Sequence, residues 1–147
     1  MASDYIEPSL RALVIDRAGG RCEYCGLSQG GQEATFHVDH IVPRAAGGET
    51  DSDNLALACV SCSLRKGARQ TAHDPATGAD VRIFDPRRDT WSEHFRWESE
   101  RVHGLTATGR ATIAALRMNR DLILAIRKQE AVLGRHPPGE IPPDQDE

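Results

Sequence analysis

Aromatic side chains are scarce in this chain, at 5% of its 147 residues. A core built on so few large rings gains from a metal staple, because a structural ion contributes folding free energy directly. No apolar run is long enough to cross a bilayer, so no membrane-spanning helix is expected. Met1–Tyr5 carries neither a basic cluster nor an apolar stretch, so no secretory signal is expected there. No internal repeat is visible. Positive charge is not in excess either: the net charge of −4 argues against nucleic-acid binding through a broad basic surface. Residues 59–72 depart from that balance, with Arg65, Lys66 and Arg69 and no acid, and a local field of this kind can still meet phosphate. The length suits one domain.

What the chain does have is four cysteines in two pairs, Cys22-Glu23-Tyr24-Cys25 and Cys59-Val60-Ser61-Cys62, with His37-Val38-Asp39-His40 between them. A C-x-x-C turn presents two thiolates from one tight bend, and two such turns complete the tetrahedron that zinc prefers. Two disulfides or a redox dithiol are the alternatives, but paired C-x-x-C motifs read first as a metal site. Thiols in a reducing cytosol stay free for metal, and a cytoplasmic location is expected. A zinc ion on Cys22, Cys25, Cys59 and Cys62 would close a loop that holds His37, Asp39, His40 and Asn54. These are residue types that bind hard metals and activate water.

Around this loop the elements read as follows. Pro8 sits where its missing N–H is harmless in a first helical turn, and Leu10, Leu13, Val14 and Arg17-Ala18 continue with helical spacing up to Gly19-Gly20. Ala34–Ile41 reads as a strand, 44–53 as a loop, Asn54–Ala58 as a second strand and Ser63–Arg69 as a helix. Asp74–Gly78 is a turn, Val81–Phe84 a strand, and Phe95–Leu105 a hairpin turning near Glu98-Ser99-Glu100. Thr106 or Thr108 caps a helix with Ile113, Leu116 and Met118. Leu122, Ile123, Ile126 and Leu133 form another, ended by Gly134. Residues 135–147 are proline-rich and end acidic, as a disordered tail does.

Cys22-x-x-Cys25, Asp39-His40-Ile41-Val42-Pro43, Gly47-Gly48, Asn54-Leu55 and Cys59-x-x-Cys62-x-x-x-Lys66-Gly67 together resemble the HNH endonuclease family, a ββα-metal nuclease fold with zinc knuckles. Ile83–Arg87, Trp91–Phe95 and Gly104-Leu105-Thr106 are similar to a bacterial branch of it. The resemblance implies His40 as general base, Asp39 as ligand of a catalytic Mg²⁺ or Mn²⁺, and Asn54 holding the loop that positions the base. His37 shares a strand face with Asp39 and is a further candidate ligand. Lys66, Arg65 and Arg69, with Arg44 in the loop after Pro43, are candidate phosphate contacts. One position departs from the pattern: Ser63 stands where the family has Asn or His completing the catalytic metal site.

The expectation is therefore an α+β protein: a small ββα-metal core (21–70) stapled by Zn²⁺, with an N-terminal helix and a strand/helix extension (71–134), forming one domain over 1–134. Its expected function is metal-dependent hydrolysis of phosphodiesters in DNA, probed first as double-stranded DNA. Two alternatives stand beside it. One is a zinc-stapled nucleic-acid-binding module with weak or lost cleavage, for which Ser63 speaks; the other is a zinc-stabilised protein-interaction domain, for which the acidic charge speaks. Sequence alone is silent on oligomeric state and target.

Overall fold

The computed structural model describes residues 5–139. Helix α1 spans Pro8–Arg17, with Pro8 in its first turn. Its buried contact is Val14, while Leu13 and Ile15 face outward. Arg17, at its end, donates to Ser52 O and Leu55 O, both at 2.7 Å, and so ties the helix to the start of the second strand. The first knuckle follows: Cys22 N–H donates to Leu27 O, Gly26 N–H to Cys22 O, and Gly26 takes φ +78, a left-handed turn that a side chain would strain.

Strand β1 (His37–His40) pairs antiparallel with β2 (Leu55–Ala58), His37 opposite Ala58 and His40 opposite Leu55. β1 is shorter than the expected 34–41 because β2 offers only a short edge. Ahead of it, the Gln29 side chain takes over the ladder's role, accepting from Phe36 N–H and donating to Ala34 O. Helix α2 covers Val60–Lys66, starting earlier than expected. Its N-cap is Cys59, whose sulfur accepts from Cys62 N–H at 3.4 Å, so the second knuckle is itself the first helical turn. Strand, strand and helix together give the ββα unit, in a mixed helix and strand protein with its four cysteines clustered.

The remainder wraps this unit. β3 (Thr71–His73) and β4 (Asp80–Arg82) form one hairpin, β5 (Phe95–Glu98) and β6 (Arg101–Gly104) another, the latter turning at Ser99. A short turn of helix, α3 (Trp91–His94), precedes β5. Helix α4 (Ala107–Leu116) is capped by Thr106 Oγ1 on Gly109 N–H, and α5 spans Asp121–Val132. Leu116 and Met118 are both fully buried, but Met118 lies past the helix end, where Arg117 turns left-handed. Inside α4, Arg110 grips the buried Asp74 carboxylate with two hydrogen bonds of 3.0 Å and holds it below the usual carboxylate range.

One apolar cluster runs from Val14 and Tyr24 through Leu55 and Leu57 to Phe84, Phe95, Leu116 and Ile123, and a second gathers Ala72, Ile83 and Ala111 where the β3–β4 hairpin meets α4. Polar links stitch the extension to the first knuckle. Trp91 Nε1–H donates to Tyr24 O at 2.9 Å. Glu23 accepts from Leu57 N–H with one carboxylate oxygen and pairs with Arg87 through the other. Within the segment read as a tail, Arg135 makes a two-pronged ion pair with Glu130 and His136 stands edge-on to Trp97. Residues 140–147 of that segment lie outside the described residues. Among the described residues, no helix is long and apolar enough to cross a membrane.

Candidate active site and metal centre

Each knuckle turns a backbone N–H toward a sulfur: Cys25 N lies 3.5 Å from Cys22 Sγ, and Cys62 N lies 3.4 Å from Cys59 Sγ. The two turns meet with Cys25 Sγ and Cys59 Sγ 3.7 Å apart. All four sulfurs lie within 4.8 Å of one another, and all four residues are buried and free of disulfides. Burial pushes the Cys22 thiol well above its ordinary pKa, because four buried sulfurs cannot ionise together without a cation. A divalent ion removes that obstacle, since a coordinated thiol is deprotonated outright. The donor set therefore fits a tetrahedral metal site, and the other His, Asp and Glu side chains form no such cluster among the described residues.

β1 lies between two polar environments, because successive residues of a strand point to opposite faces. On one face His37 Nδ1 lies 2.8 Å from Ser63 Oγ, joining strand to helix. Asp39 is on that same face, half-buried, and among the described residues no hydrogen bond reaches its carboxylate. On the other face His40 Nε2 lies 2.8 Å from Thr50 Oγ1, in the loop between the strands. Thr50 had no distinguishing signal in the sequence beyond its place in a polar stretch.

Asn54 holds that loop. Its Oδ1 accepts from Val42 N–H at 2.9 Å, and its Nδ2 donates to Val42 O at 3.0 Å and to Glu49 O at 2.9 Å. The loop closes so tightly that a Cβ on Gly48 would collide with Val42 O, which only glycine avoids. Asn54→Ala would leave these backbone groups without partners. A loss of ~1–3 kcal/mol is expected, visible as a lower unfolding midpoint and a weaker site if the loop orients His40. An unchanged midpoint would mean water replaces the amide at no cost.

Lys66, a candidate phosphate contact, is 3% exposed. Its Nζ donates to Ile41 O at 2.9 Å and lies 3.5 Å from His40 O. Burial lowers its pKa, and the nearby Asp39 and Asp85 carboxylates oppose that shift. Its long stem runs under the strand, and its charge braces the end of β1 directly behind His40. Of the other basic candidates, Arg65 is half-buried with Nε on Ser61 Oγ at 3.1 Å, and Arg44 donates to Gly48 O at 3.2 Å. Arg69 is exposed. It lines a groove of about 450 Å³ together with Ile41, Val42, Lys66, Arg82 and Arg88. Arg82 and Arg88 had not been singled out in the sequence, since they reach the groove only through the β3–β4 hairpin and the turn after it.

Residues 22–69 match the HNH endonuclease family, a span that contains both knuckles, β1, β2 and α2. The chain is also 22% identical over 115 residues to the Septu protein PtuB of Bacillus thuringiensis. The aligned part is 77% of this chain and 42% of that relative, so the chain spans less than half of the relative's length.

Proposed function

We propose that the HNH endonuclease segment at residues 22–69 makes this protein a metal-dependent endonuclease that hydrolyses phosphodiester bonds in DNA. A nuclease-type activity is what the family match supports; the substrate, the metals and the residue roles are this reading's own. The observation that carries it is the arrangement on β1. His40 is held from its ring by Thr50 and from its backbone by Lys66, and the neighbouring Asp39 carboxylate has no hydrogen bond among the described residues.

In this reading His40 donates Nε2–H to Thr50, which leaves the Nδ1 lone pair to take a proton from water. Asn54 keeps the Val42–Glu49 loop, and with it Thr50, in place. A Mg²⁺ or Mn²⁺ ion held by Asp39, with His37 and Ser63 beside it, would neutralise charge on the phosphate and its leaving oxygen. Zn²⁺ on Cys22, Cys25, Cys59 and Cys62 is structural and fastens β2 and α2 to the first knuckle. Arg69, Arg82 and Arg88 in the groove beyond Ile41, with Arg65 and Arg44 nearer the loop, supply phosphate contacts. Lys66 supports the strand instead.

Ser63 favours a second reading, in which the domain binds nucleic acid but cuts it weakly. Its hydroxyl is engaged with His37, and it is a shorter oxygen ligand than the amide of Asn. Plasmid nicking against Mg²⁺ or Mn²⁺ concentration, with a DNA gel shift in EDTA, separates the two. Wild type should nick with the metal and not without it. Ser63→Asn should need less metal for half-maximal rate and Ser63→Ala more. DNA retention with no nicking at any metal concentration would replace the nuclease reading with the binding one. Superimposable curves for the three proteins would place position 63 outside the metal's ligands, leaving His37 as the next candidate.

A further inference from the structure

Arg127, on α5, is 1% exposed, and among the described residues no carboxylate pairs with it. Burying a charge without a counter-charge is heavily unfavourable, so buried guanidinium groups are ordinarily paired. Arg127 instead finds carbonyls. Nη1 donates to Glu100 O at 3.0 Å and Met118 O at 2.8 Å, and Nη2 donates to Cys25 O at 3.3 Å. Nε has no partner. Its Cζ sits 4.9 Å from the centroid of the Trp97 ring. Trp97 in turn packs over Gly26, in the turn of the first knuckle, so closely that a Cβ there would lie 3.0 Å from its ring.

The neighbourhood contains an anion of another kind. The Nη2 contact with Cys25 O sets the guanidinium against the backbone of the four-cysteine cluster, whose sulfurs lie within 4.8 Å of one another. Zinc on four thiolates carries a net charge of about −2. In a site closed to water such a charge acts strongly on a cation next to it. Carbonyl groups satisfy the Nη donors of Arg127 and the Trp97 ring faces its cation, but among the described residues no carboxylate answers its charge, which leaves the thiolate centre to do so.

We propose that Arg127 is the counter-charge of the four-cysteine zinc centre, a positioning residue outside the ligand set through which the C-terminal extension stabilises the metal. This rests on reading the four cysteines as a zinc site and is independent of whether the protein cuts DNA. It also gives α5 a role in the zinc centre that no spacing in the sequence announces.

The test compares wild type, Arg127→Gln, which keeps donors and loses charge, and Arg127→Lys, which keeps charge and loses most donors. Zinc affinity is read by competition with a chromogenic chelator, 4-(2-pyridylazo)resorcinol. The absorption spectrum of the Co²⁺-substituted protein reports whether the four-sulfur geometry persists. Wild type should hold close to one zinc per chain; if it holds none, the zinc reading itself falls, and this inference with it. Arg127→Gln is expected to weaken zinc binding by about 10–100-fold, the usual effect of removing a partner outside the ligand set. Arg127→Lys should stay much closer to wild type. Folding of the Lys variant and not the Gln variant at saturating zinc supports the same conclusion. Wild-type affinity in both variants, equal losses in both, or failure of both to fold would each overturn the counter-charge, leaving Arg127 as a clamp on backbone carbonyls.

Discussion

His40→Ala is expected to lower the metal-dependent nicking rate by at least ~10²-fold and by up to ~10⁴-fold, the usual contribution of a positioned general base. The imidazole is half-buried and makes one side-chain hydrogen bond, to Thr50, so its removal should cost the fold only ~0.5–1.5 kcal/mol. Zinc content and the unfolding midpoint should therefore stay near wild type while the rate collapses. That separation is what distinguishes a base from a structural histidine. A mutant that nicks as fast as wild type would remove His40 from the chemistry; one that loses zinc as well would show that the residue serves the fold. Asp39→Ala provides the companion measurement. Its rate should fall at low metal concentration and recover in part when metal is raised.

Cys59→Ser should have the largest effect on stability. Cys59 contributes a sulfur to the cluster, and that same sulfur caps α2 by accepting from Cys62 N–H. Apparent binding free energies for structural zinc reach ~10–16 kcal/mol, as large as the whole stability of a small domain at ~5–15 kcal/mol. Loss of a ligand is therefore expected to leave the ββα unit unfolded at 37 °C, with zinc near zero by metal analysis and a lost cooperative transition by circular dichroism. Serine can still cap a helix through its hydroxyl, so the damage should come from the metal and not from the cap. A Cys59→Ser protein that melts as wild type does would show that the cysteines carry no structural ion.

Short-range spacing accounts for what the sequence by itself determined. A C-x-x-C turn brings its two sulfurs together through local geometry, and the clustering of Cys22, Cys25, Cys59 and Cys62 follows once two such turns meet. The order strand, strand, helix after the first pair was legible from alternation, from Pro43 and from the Gly-containing loop. So were the β5–β6 hairpin and the Thr106 cap on α4. Onsets and lengths were less so. α2 begins at Val60 because a cysteine sulfur serves as its cap, a role that propensity does not assign to cysteine.

Tertiary structure alone decided the environment of the polar side chains. Lys66 and Arg69 sit in one basic run and line one groove, yet the first is buried with its Nζ on Ile41 O and the second is exposed. A charge run in sequence carries no information on which member the packing will enclose. His40 with Thr50, His37 with Ser63, Glu23 with Arg87 and Arg127 with Cys25 are pairs made across loops and helices, at separations without a fixed period. The physical reason is that helix and strand periodicities fix which residues share a face, whereas contact between faces depends on how whole elements pack. Only the packing of the extension onto the knuckles could bring a guanidinium from α5 against the Cys25 carbonyl.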